Sequence, residues 1–403
     1  LRLVQGDVGS GKTIVAAFAE IRAIEHGCQT AVMAPTELLA EQHQLNFQQW
    51  LEPLGIQVAL LTGQMTAKSQ RETLQRIASG EVQVIIGTHA LFQDKVIFHK
   101  LALAIIDEQH RFGVHQRMAL QHKGAYPHQL VMTATPIPRT LTMTLYADMD
   151  VSVIDELPKG RQPITTHTAA QPKRPELIER LRKILAQGQQ AYWVCTLIEP
   201  NEEIAALSAE EAFDILRREL PEFRVALLHG RMKGDEKVEV MRAFKAGEYQ
   251  LLVATTVVEV GVDVPNATQM FIENAERLGL AQLHQLRGRV GRGSKASRCF
   301  LLFKPGVSQA GQHRLNALRQ SQDGFYLAEQ DLKLRGPGDI LGTRQSGEQS
   351  FKIADLSEHA HLMPRVVQRC ETMMNAAPAS DDGIYLTGLL NTWAASDNAH
   401  LSV

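Results

Sequence analysis

The sequence predicts an α/β fold in which two tandem units, each built on a parallel sheet, precede a mostly helical C-terminal extension. Short apolar runs alternate with helical patterns in the first third of the chain. A second such series follows a stretch that contains Pro158, Gly160 and Pro163. Runs that are apolar on both faces and alternate with helices are typical of a parallel sheet covered on both sides.

The first unit opens with the apolar segment Leu1-Arg2-Leu3-Val4 and continues with five further apolar runs. Polar or Gly-containing segments separate these runs, as expected of strands bounded by turns. The predicted strands cover residues 30–34, 58–61, 82–86, 101–106 and 130–132, and the predicted helices include residues 14–24 and 37–50.

The second unit repeats this alternation, with predicted strands at residues 191–195, 225–228, 251–254, 270–272 and 299–303. The charged, Pro-containing stretch 156–163 predicts a linker between the units. The predicted domains are therefore residues 1–157, 158–310 and 311–403, the last being helical. Ala, Ser, Asp and Asn are prominent in roughly the last 25 residues, which predicts loose order at the end.

The composition is that of a globular protein without a membrane span. Of the 403 residues 44% are hydrophobic and 21% are charged, and no apolar run approaches the roughly 18 residues that a bilayer span needs. The four cysteines are far apart, which argues against a disulfide framework or a metal site and favours a cytoplasmic setting. The net charge of −2 neither requires nor excludes nucleic acid. Because the chain starts at Leu1 inside a strand, we expect it to be part of a longer protein.

Residues 6–13, Gly-Asp-Val-Gly-Ser-Gly-Lys-Thr, fit the phosphate-binding pattern G-x-x-x-x-G-K-[ST] between a predicted strand and a predicted helix. Glycines at this spacing let backbone N–H groups close around phosphates, and the helix presents its positive N-terminal end to them. In such a loop Lys12 reaches the β- and γ-phosphates of a nucleotide, and the Thr13 hydroxyl holds Mg²⁺. The predicted nucleotide-binding residues are Gly6, Gly9, Ser10, Gly11, Lys12 and Thr13.

The predicted strand 101–106 ends in Asp107-Glu108-Gln109-His110. An acidic pair at the carboxyl end of a buried strand lies where α/β sheets place their ligands. Taken alone, such a pair is more often a helix N-cap. Downstream of a phosphate-binding loop, however, we expect Asp107 to hold Mg²⁺ and Glu108 to orient and deprotonate the attacking water.

The segment 285–293 of the second unit contains three arginines within six residues. Leu283, Leu286 and Val290 recur at helical spacing, which predicts a buried helix face and places the arginines together on a polar face. Such arginines either form a solvated or nucleic-acid-binding surface, or they reach across a cleft to the γ-phosphate and stabilise the charge of the transition state. The phosphate-binding loop in the other unit favours the second interpretation. ATP bound between the units would then draw them together, and hydrolysis would release them.

Further segments of the chain resemble, in order, the motifs of the superfamily 2 helicases. They are residues 34–43, 62–63, 87–91, 133–140, 228–232, 255–263 and 285–293. The resemblance implies two RecA-like domains with ATP and Mg²⁺ as cofactors. It also implies that Arg289 and Arg292 are arginine fingers and that Gly261, Asp263 and Gln285 contact the nucleotide.

The same resemblance implies residues that contact DNA or couple the ATP site to it. His110 is implied to sense the γ-phosphate or to link the two domains, and the segment around Thr133 and Thr135 couples the nucleotide to the nucleic-acid track. The full implied set is Thr36, Thr88, His89, His110, Thr133, Thr135, Arg231 and Thr255.

Two segments resemble one branch of this superfamily, the RecG family of branch-migration translocases. They are residues 107–113, which include Gln109 and His110, and residues 334–347, which are similar to the family's translocation motif. This resemblance implies that Arg335, Arg344 and Gln345 grip duplex DNA. It also implies a cytoplasmic, nucleoid-associated bacterial monomer that remodels branched and double-stranded DNA, with a single-stranded-DNA-binding protein as a partner. The family's N-terminal wedge domain and adenine-recognition segment have no counterpart in these residues.

Three alternatives stay open on the sequence. A transcription–repair coupling translocase has a similar motor, although its acidic motif more often reads Asp-Glu-Glu-His. An RNA helicase of the same superfamily fits the motifs less well, because Gln109-His110 stands in place of Ala-Asp. A nucleotide-dependent scaffold without turnover is the alternative of a different class, against which Lys12, Asp107 and Glu108 argue.

Overall fold

The computed structural model describes residues 1–108, 123, 127–134, 149–156, 162–196, 202–259, 263–335, 359, 362–377 and 380–393. Most of the chain up to Leu334 belongs to one compact unit, which holds two separate parallel sheets. The described helices near the C-terminus belong to a second compact unit. The predicted fold class, two parallel-sheet α/β domains followed by a helical region, is confirmed.

The first sheet contains seven strands, and every pair in it is parallel. Their spatial order is β3-β4-β2-β5-β6-β1-β7, so β1 and β5, which precede the two nucleotide-site segments, are separated by β6 alone. The strands are β1 (Arg2–Gly6), β2 (Gln29–Met33), β3 (Val58–Leu61), β4 (Val84–Gly87), β5 (Leu101–Ile106), β6 (His128–Thr133) and β7 (Asp150–Ile154).

Three helices of this first domain lie within the described residues: α1 (Lys12–Ile24), α2 (Glu37–Leu51) and α3 (Ala67–Ala78). Thr36 and Thr66 begin α2 and α3, and each threonine hydroxyl accepts a hydrogen bond from a backbone N–H of the first turn. Phe47 and Leu51 of α2 are fully buried against the sheet. Both predicted helices of this domain are confirmed.

The second sheet has six strands in the order β10-β11-β9-β12-β13-β8, again all parallel. Its inner strands are apolar on both faces, which is why the sequence shows continuous apolar runs and not alternation. The strands are β8 (Thr165–Ala170), β9 (Gln190–Cys195), β10 (Val225–Leu228), β11 (Leu251–Ala254), β12 (Ala267–Glu273) and β13 (Arg298–Phe303).

Helices cover this sheet on both faces. One face buries an apolar cluster that includes Trp193 and Phe271, and the other buries a cluster that includes Tyr192 and Phe244. The helices are α4 (Arg174–Leu185), α5 (Glu202–Glu219), α6 (Gly234–Lys245), α7 (Leu280–Arg287), α8 (Gln309–Gln320) and α9 (Gly324–Arg335). Leu315 and Leu327 bring α8 and α9 into the core of the second domain.

Two edge strands, β7 and β8, were not predicted from the sequence. Strand β8 contains polar residues and alanine and so carries no large apolar run, whereas in β7 the polar residues Asp150 and Ser152 interrupt the apolar ones. The predicted boundaries at residues 157 and 310 stay predictions, and most of the predicted linker lies outside the described residues.

The second compact unit contains two described helices, α10 (Met363–Met374) and α11 (Asp381–Trp393). Arg369 of α10 and Asp382 of α11 form an ion pair that joins the two helices. The prediction of loose order over roughly the last 25 residues is wrong for Asp381–Trp393, where the residues form a regular helix. None of the helices in the described part of the chain combines the length and apolar content that a bilayer span requires.

Glu20 is a fully buried carboxyl group in α1, the helix that follows the phosphate-binding loop. The hydroxyl of Thr30 on β2 donates a hydrogen bond of 3.3 Å to Glu20 Oε1, whereas Oε2 has no partner. Burial raises the pKa of Glu20 well above its usual range, and the bond from Thr30 opposes part of that increase. The protonated form is therefore favoured in the folded protein.

We predict that Glu20→Gln stabilises the first domain increasingly as the pH rises. Below a pH of about 4.3 the side chain is protonated in both states, so it contributes no pH dependence there. Above that pH the unfolded chain loses the proton while the native protein retains it, and the stability of the wild type falls until the raised pKa is passed. Glutamine has no proton to lose, so the melting temperature of the variant minus that of the wild type should grow between pH 5 and pH 7.

Thr30→Val is the companion variant for this measurement. It removes the hydroxyl that favours the ionised carboxyl without changing the side-chain shape much, so the pKa of Glu20 should rise further and the loss of stability should continue to a higher pH than in the wild type. If the difference in melting temperature between Glu20→Gln and wild type does not change with pH, Glu20 does not have a raised pKa in the folded protein.

Candidate functional site

The loop between β1 and α1 has the backbone geometry of a phosphate-binding loop. Gly9 and Gly11 have φ values of 74° and 95°, a left-handed conformation that glycine adopts without strain. Gly11 is the N-cap of α1, so the loop turns directly into the N-terminal end of the helix. Unbonded N–H groups and the positive end of the helix dipole therefore face the loop, as an anion requires.

The side chains of this loop fit a bound nucleotide. Ser10 is buried and its hydroxyl has no hydrogen-bond partner, which is a polar group available to a ligand. A Cβ on Gly6 would lie 2.4 Å from that hydroxyl, so only glycine leaves room for it. Thr13 lies in the first turn of α1 and is partly exposed, as a residue that holds Mg²⁺ has to be.

Lys12 is a buried cation at the centre of the loop. Its Nζ donates hydrogen bonds of 2.8 Å to the carbonyl oxygens of Gly6 and Asp7. Burial lowers the pKa of Lys12, and the charge of Arg289 adds to that effect, whereas Asp107, Glu108 and Asp7 oppose it. The ammonium group thus binds carbonyl oxygens and lies near three carboxylates. Phosphate oxygens of a bound nucleotide would replace the carbonyl contacts.

Asp107 and Glu108 follow directly after β5 and are fixed by different contacts. Asp107 Oδ2 lies 2.9 Å from His43 Nε2, and Asp107 Oδ1 accepts the backbone N–H of Glu108 at 3.0 Å. Glu108 has a φ of 52°, an uncommon left-handed conformation for a residue with a side chain. Its carboxylate accepts the backbone N–H of Ala134 at 3.4 Å. Local strain of this kind is found at functional sites.

The pKa values of the two carboxyl groups are driven apart. Burial alone would raise the pKa of Asp107, but the hydrogen bond and charge of His43 and the charge of Lys12 lower it overall. Burial and the neighbouring charge of Asp107 raise the pKa of Glu108. An ionised carboxylate beside a more basic one is the division of roles expected of a metal ligand and a general base.

The structure corrects the prediction for the arginine segment. Helix α7 ends at Arg287, so Arg289 and Arg292 lie beyond it, and the predicted single helix carrying all three arginines is wrong. Gly288 and Gly291 occur in this stretch, and Gly291 has a φ of 75°, which ends the helical pattern. The predicted shared polar face is wrong as well, since Arg287 and Arg289 are 2% and 7% exposed. Leu283, Leu286 and Val290 are fully buried, as predicted.

The three arginines have different surroundings. Arg287 donates bonds of 2.8 Å to the carbonyl oxygens of Leu318 and Ser321, so it holds the end of α8. Arg289 is close enough to the nucleotide loop to affect the pKa values of Lys12 and Glu108, in addition to the dominant effect of burial.

Arg292 forms an ion pair with Asp263, another residue implied to contact the nucleotide. Gln285 is buried, and its carbonyl oxygen accepts a bond of 3.3 Å from Arg289 Nε. Arg289 and Arg292 as arginine fingers, and Asp263 and Gln285 as nucleotide contacts, stay predictions.

His284 connects the two domains at the phosphate-binding loop. Its Nε2 forms a hydrogen bond with Asp7 Oδ1, and its Nδ1 lies 2.9 Å from Arg287 Nη2. Asp7 is itself a loop residue, and Arg287 holds the end of α8. A continuous chain of hydrogen bonds therefore runs from the phosphate-binding loop of the first domain into the second.

Other contacts also join the two domains. Glu41 of α2 forms an ion pair of 2.6 Å with Arg242 of α6. The side chain of Gln42 accepts a bond of 3.3 Å from the backbone N–H of Asp263. Gly288 packs so closely on Val8 that a Cβ there would lie 2.8 Å from the valine side chain.

Several residues implied to contact DNA lie at the carboxyl ends of strands or at helix starts. Thr36 caps α2, Thr88 precedes the short helix His89–Phe92, and Thr133 ends β6. Thr88 and Thr255 are buried, and the Thr88 hydroxyl has no partner. His89 and Arg231 are exposed. Their roles stay predictions.

Some predicted residues lie outside the described residues: His110, Thr135, Gly261, Arg344 and Gln345. Arg335 is the last residue of α9, and its side chain is also not described.

Sequence reasoning missed three residues of the site: Asp7, His43 and His284. Asp7 occupies a variable position of the loop pattern, and His43 and His284 each stand at or beside a motif without being assigned a role. The sequence contains no signal that pairs residues 7 and 284, because they are distant in the chain and meet only after both domains have folded.

Three family models match consecutive parts of the chain. The DEAD/DEAH box helicase model matches residues 2–144, and the helicase conserved C-terminal domain model matches residues 176–294. The model for ATP-dependent DNA helicase RecG, domain 3, C-terminal, matches residues 321–386. The order and spacing of these matches follow the two sheets and the helical region.

Similar proteins carry the same description. ATP-dependent DNA helicase RecG of Escherichia coli O157:H7 is 61% identical over 371 residues, which are 91% of this chain and 54% of that protein. The RecG helicase of Bacillus subtilis strain 168 is 51% identical over 88% of this chain and 52% of its own length. The chain thus spans about half the length of the curated relatives it matches.

A solved structure described as RecG bound to a three-way DNA junction matches 90% of this chain and 47% of its own, with a TM-score of 0.74 and 44% identity. A structure of Dbp5 from S. cerevisiae bound to RNA matches with a TM-score of 0.57 at 15% identity, a likeness that extends to the fold alone.

We predict that His284→Ala weakens the use of ATP without unfolding the protein. The substitution removes the hydrogen bond between Asp7 and the second domain and leaves Arg287 without its histidine partner. Loss of a hydrogen bond to a charged group costs about 1.5 kcal/mol, so kcat/KM for ATP should fall roughly tenfold. Phosphate release measured over a range of ATP concentrations would show the change.

His313→Ala is the matched control, because His313 is exposed and bonds only to Gln330 of the same region. If kcat/KM for ATP is unchanged in His284→Ala while its melting temperature equals that of the control, the hydrogen bond between His284 and Asp7 does not support the nucleotide site.

Proposed function

The chain belongs to the RecG family of ATP-dependent DNA helicases, and from that premise we propose that it hydrolyses ATP to move along double-stranded DNA and remodel branched DNA. The proposed substrates are stalled replication forks and Holliday junctions. Regression of a fork breaks base pairs and re-forms equivalent ones, at about 1.4 kcal/mol per stacking step, so its net cost is near zero. The motor then supplies direction and overcomes barriers.

The observation that supports ATP hydrolysis is the convergence of Lys12, Asp107 and Glu108. A buried cation on the phosphate-binding loop acts electrostatically on both carboxyl groups, and Asp107 is held in place by His43. Buried charges that perturb each other's pKa values in this way mark sites of chemistry more often than sites of packing.

Bound ATP would supply the phosphoryl group that is transferred, and Mg²⁺ would neutralise part of the phosphate charge. The loop from Gly6 to Thr13 would bind the phosphates through its backbone N–H groups, and Lys12 would neutralise the β- and γ-oxygens. Asp107 and Thr13 would hold Mg²⁺.

Glu108 would orient water and accept its proton. Its raised pKa makes it a better proton acceptor than an ordinary carboxylate, while Asp107 stays ionised. Arg289, already close to Lys12 and Glu108, would stabilise the charge of the transition state, and Arg292 would reach the nucleotide by exchanging its ion pair with Asp263.

Coupling to DNA is proposed through residues at the strand ends and in the region after α9. Thr36, Thr88 and Arg231 would contact the DNA backbone, and Arg335, Arg344 and Gln345 would grip the duplex. Such contacts are independent of base sequence and sensitive to salt. We also propose that the protein acts as a monomer in the cytoplasm, at the nucleoid, and that a single-stranded-DNA-binding protein is a partner.

We predict that Lys12→Ala and Glu108→Gln both abolish phosphate release but differ in nucleotide binding. Removal of Lys12 deletes the charge that holds the phosphates, so binding of a fluorescent ATP analogue should weaken at least tenfold. Glu108→Gln leaves the phosphate-binding loop intact and removes only the proton acceptor, so binding should be retained.

Lys183→Ala serves as the control, since Lys183 is an exposed lysine of α4. Turnover by Lys12→Ala at saturating ATP would refute the assignment of this loop. Normal turnover by Glu108→Gln would refute the role of Glu108.

The proposed function as a whole is tested by ATP hydrolysis with no nucleic acid, single-stranded DNA, linear duplex, a model fork or RNA, over a salt series. We expect the largest stimulation with duplex or forked DNA, and we expect it to fade as salt rises, because phosphate contacts release counterions. Stimulation by RNA alone would place the protein among the RNA helicases. Absence of ATP hydrolysis under every condition would favour a nucleotide-dependent scaffold.

A further inference from the structure

Four aromatic rings stack in register across one face of the second sheet, from its centre to its edge. Trp193 on β9, Phe271 on β12 and Phe300 on β13 are followed by His167 on the edge strand β8. Successive ring centroids are 4.9, 4.9 and 5.2 Å apart, with interplanar angles of 17°, 11° and 20°. The first three rings are buried, and His167 is half-buried at the end of the row.

The open end of this row is surrounded by arginines. Arg298 precedes Phe300 by two residues on β13, so both side chains lie on the same face as His167. Arg180 of α4 places its guanidinium over the Phe300 ring, 5.1 Å from the centroid. Arg319 lies near the end of α8, a helix that packs against β8. We call His167, Arg180, Arg298 and Arg319 the edge basic cluster.

The three arginines give the cluster a positive charge. In the part of the chain that the structure describes, Arg180, Arg298 and Arg319 form no ion pair, whereas other arginines of this domain, such as Arg174 and Arg182, do. Burial lowers the pKa of His167, and the charges of the three arginines lower it further. The contribution of the arginines shows that they lie close to His167, and their combined positive charge attracts anions.

The contact with the Phe300 ring uses only part of the guanidinium group of Arg180. A guanidinium stacked on a ring uses its flat face, which leaves its N–H donors at the edge directed outward in a fixed orientation. Arg298 and Arg319 make neither ring contacts nor ion pairs among the described residues. Arg180 and Arg298 lie on the face of His167. Arg319 belongs to a helix that packs on the opposite face, close enough for its charge to lower the pKa of His167. Arginines of this kind match phosphate groups, since each guanidinium can hold two phosphate oxygens.

We propose that the edge basic cluster is a second DNA-binding surface, which holds the phosphodiester backbone of a DNA strand on the outer edge of the second domain. The half-buried ring of His167 ends the stacked row beside these phosphate contacts, and combinations of rings and cations of this type bind nucleic-acid strands without regard to sequence. The surface belongs to β8, β13, α4 and α8, and none of its residues is among those of the proposed ATP site or of the helicase motifs.

The identity of the ligand as DNA rests on the proposed function, whereas the presence of an anion-binding surface rests on the geometry of the cluster. An acidic protein segment would use the same arginines through carboxylates. We favour DNA because the family is one of DNA helicases and because the arginines flank an aromatic ring, which carboxylate binding does not need.

The test is the salt dependence of duplex binding by the 403-residue chain and its variant Arg180→Gln/Arg319→Gln. Both arginines are exposed, so the fold should be retained. Fluorescence anisotropy of a labelled duplex without ATP gives the slope of log K against log salt. Loss of two phosphate contacts should make that slope shallower by about 1.8 and weaken binding by roughly tenfold or more at moderate salt.

Arg217→Gln/Arg218→Gln is the matched control, because it removes two exposed arginines from α5 of the same domain. A slope of the Arg180→Gln/Arg319→Gln variant equal to that of the control would overturn the proposal. A loss of binding to a poly-glutamate peptide with an unchanged duplex slope would overturn it as well.

Phosphate release with and without duplex, measured on the same preparations, separates the two proposals. If DNA never stimulates ATP hydrolysis, the proposed function is wrong. The anisotropy slopes still test whether the edge basic cluster binds DNA. If DNA stimulates ATP hydrolysis and the salt slope of the Arg180→Gln/Arg319→Gln variant equals that of the control, only the proposal of a second DNA-binding surface is wrong.

Discussion

The buried charge of Lys12 is the constraint on which the arrangement of the first domain depends. A lysine ammonium removed from water is costly unless partners replace the lost hydration. Here Gly6 and Asp7 provide carbonyl oxygens at 2.8 Å, and the carboxylates beyond β5 provide opposite charge. The strand order serves this need, because β6 alone separates β1 from β5 and parallel strands bring their carboxyl ends to one edge. The same charges that stabilise the lysine are those that nucleotide chemistry would use.

The second domain meets this site through a small number of directional contacts. Asp7, His284 and Arg287 form a row of hydrogen bonds that ends on the carbonyl oxygens of Leu318 and Ser321. A change at the phosphate-binding loop can therefore reach the end of α8, which leads into α9. The close approach of Gly288 to Val8 shows why a side chain is excluded at that position. These hydrogen bonds thus connect residues of the proposed ATP site with the region after the second sheet.

Two parts of the second domain divide the proposed tasks. Arg289, in the segment after α7, lies near the nucleotide loop, whereas the outer edge at β8 carries the row of stacked rings and the edge basic cluster. The ring row also belongs to the apolar core beneath α4 and α5, so the same residues that stabilise the sheet hold Arg180 in position. A surface built on such a core is rigid, which favours binding because little conformational entropy is lost.

Sequence patterns predicted the fold class and the phosphate-binding loop of the first domain. Strands with large apolar side chains on both faces were predictable because burial on both sides dictates composition, and residues 6–13 fix their own backbone through glycine. Strands β7 and β8 escaped prediction, since β8 has no large apolar run and the polar residues Asp150 and Ser152 interrupt the apolar ones of β7. The tertiary structure showed that Arg289 and Arg292 lie beyond the helix that periodicity extended past Arg287. It also decided the pairing of His43 with Asp107, of Asp7 with His284, and of His167 with three distant arginines. Contacts between residues far apart in the chain depend on strand order and domain packing, which no local pattern encodes.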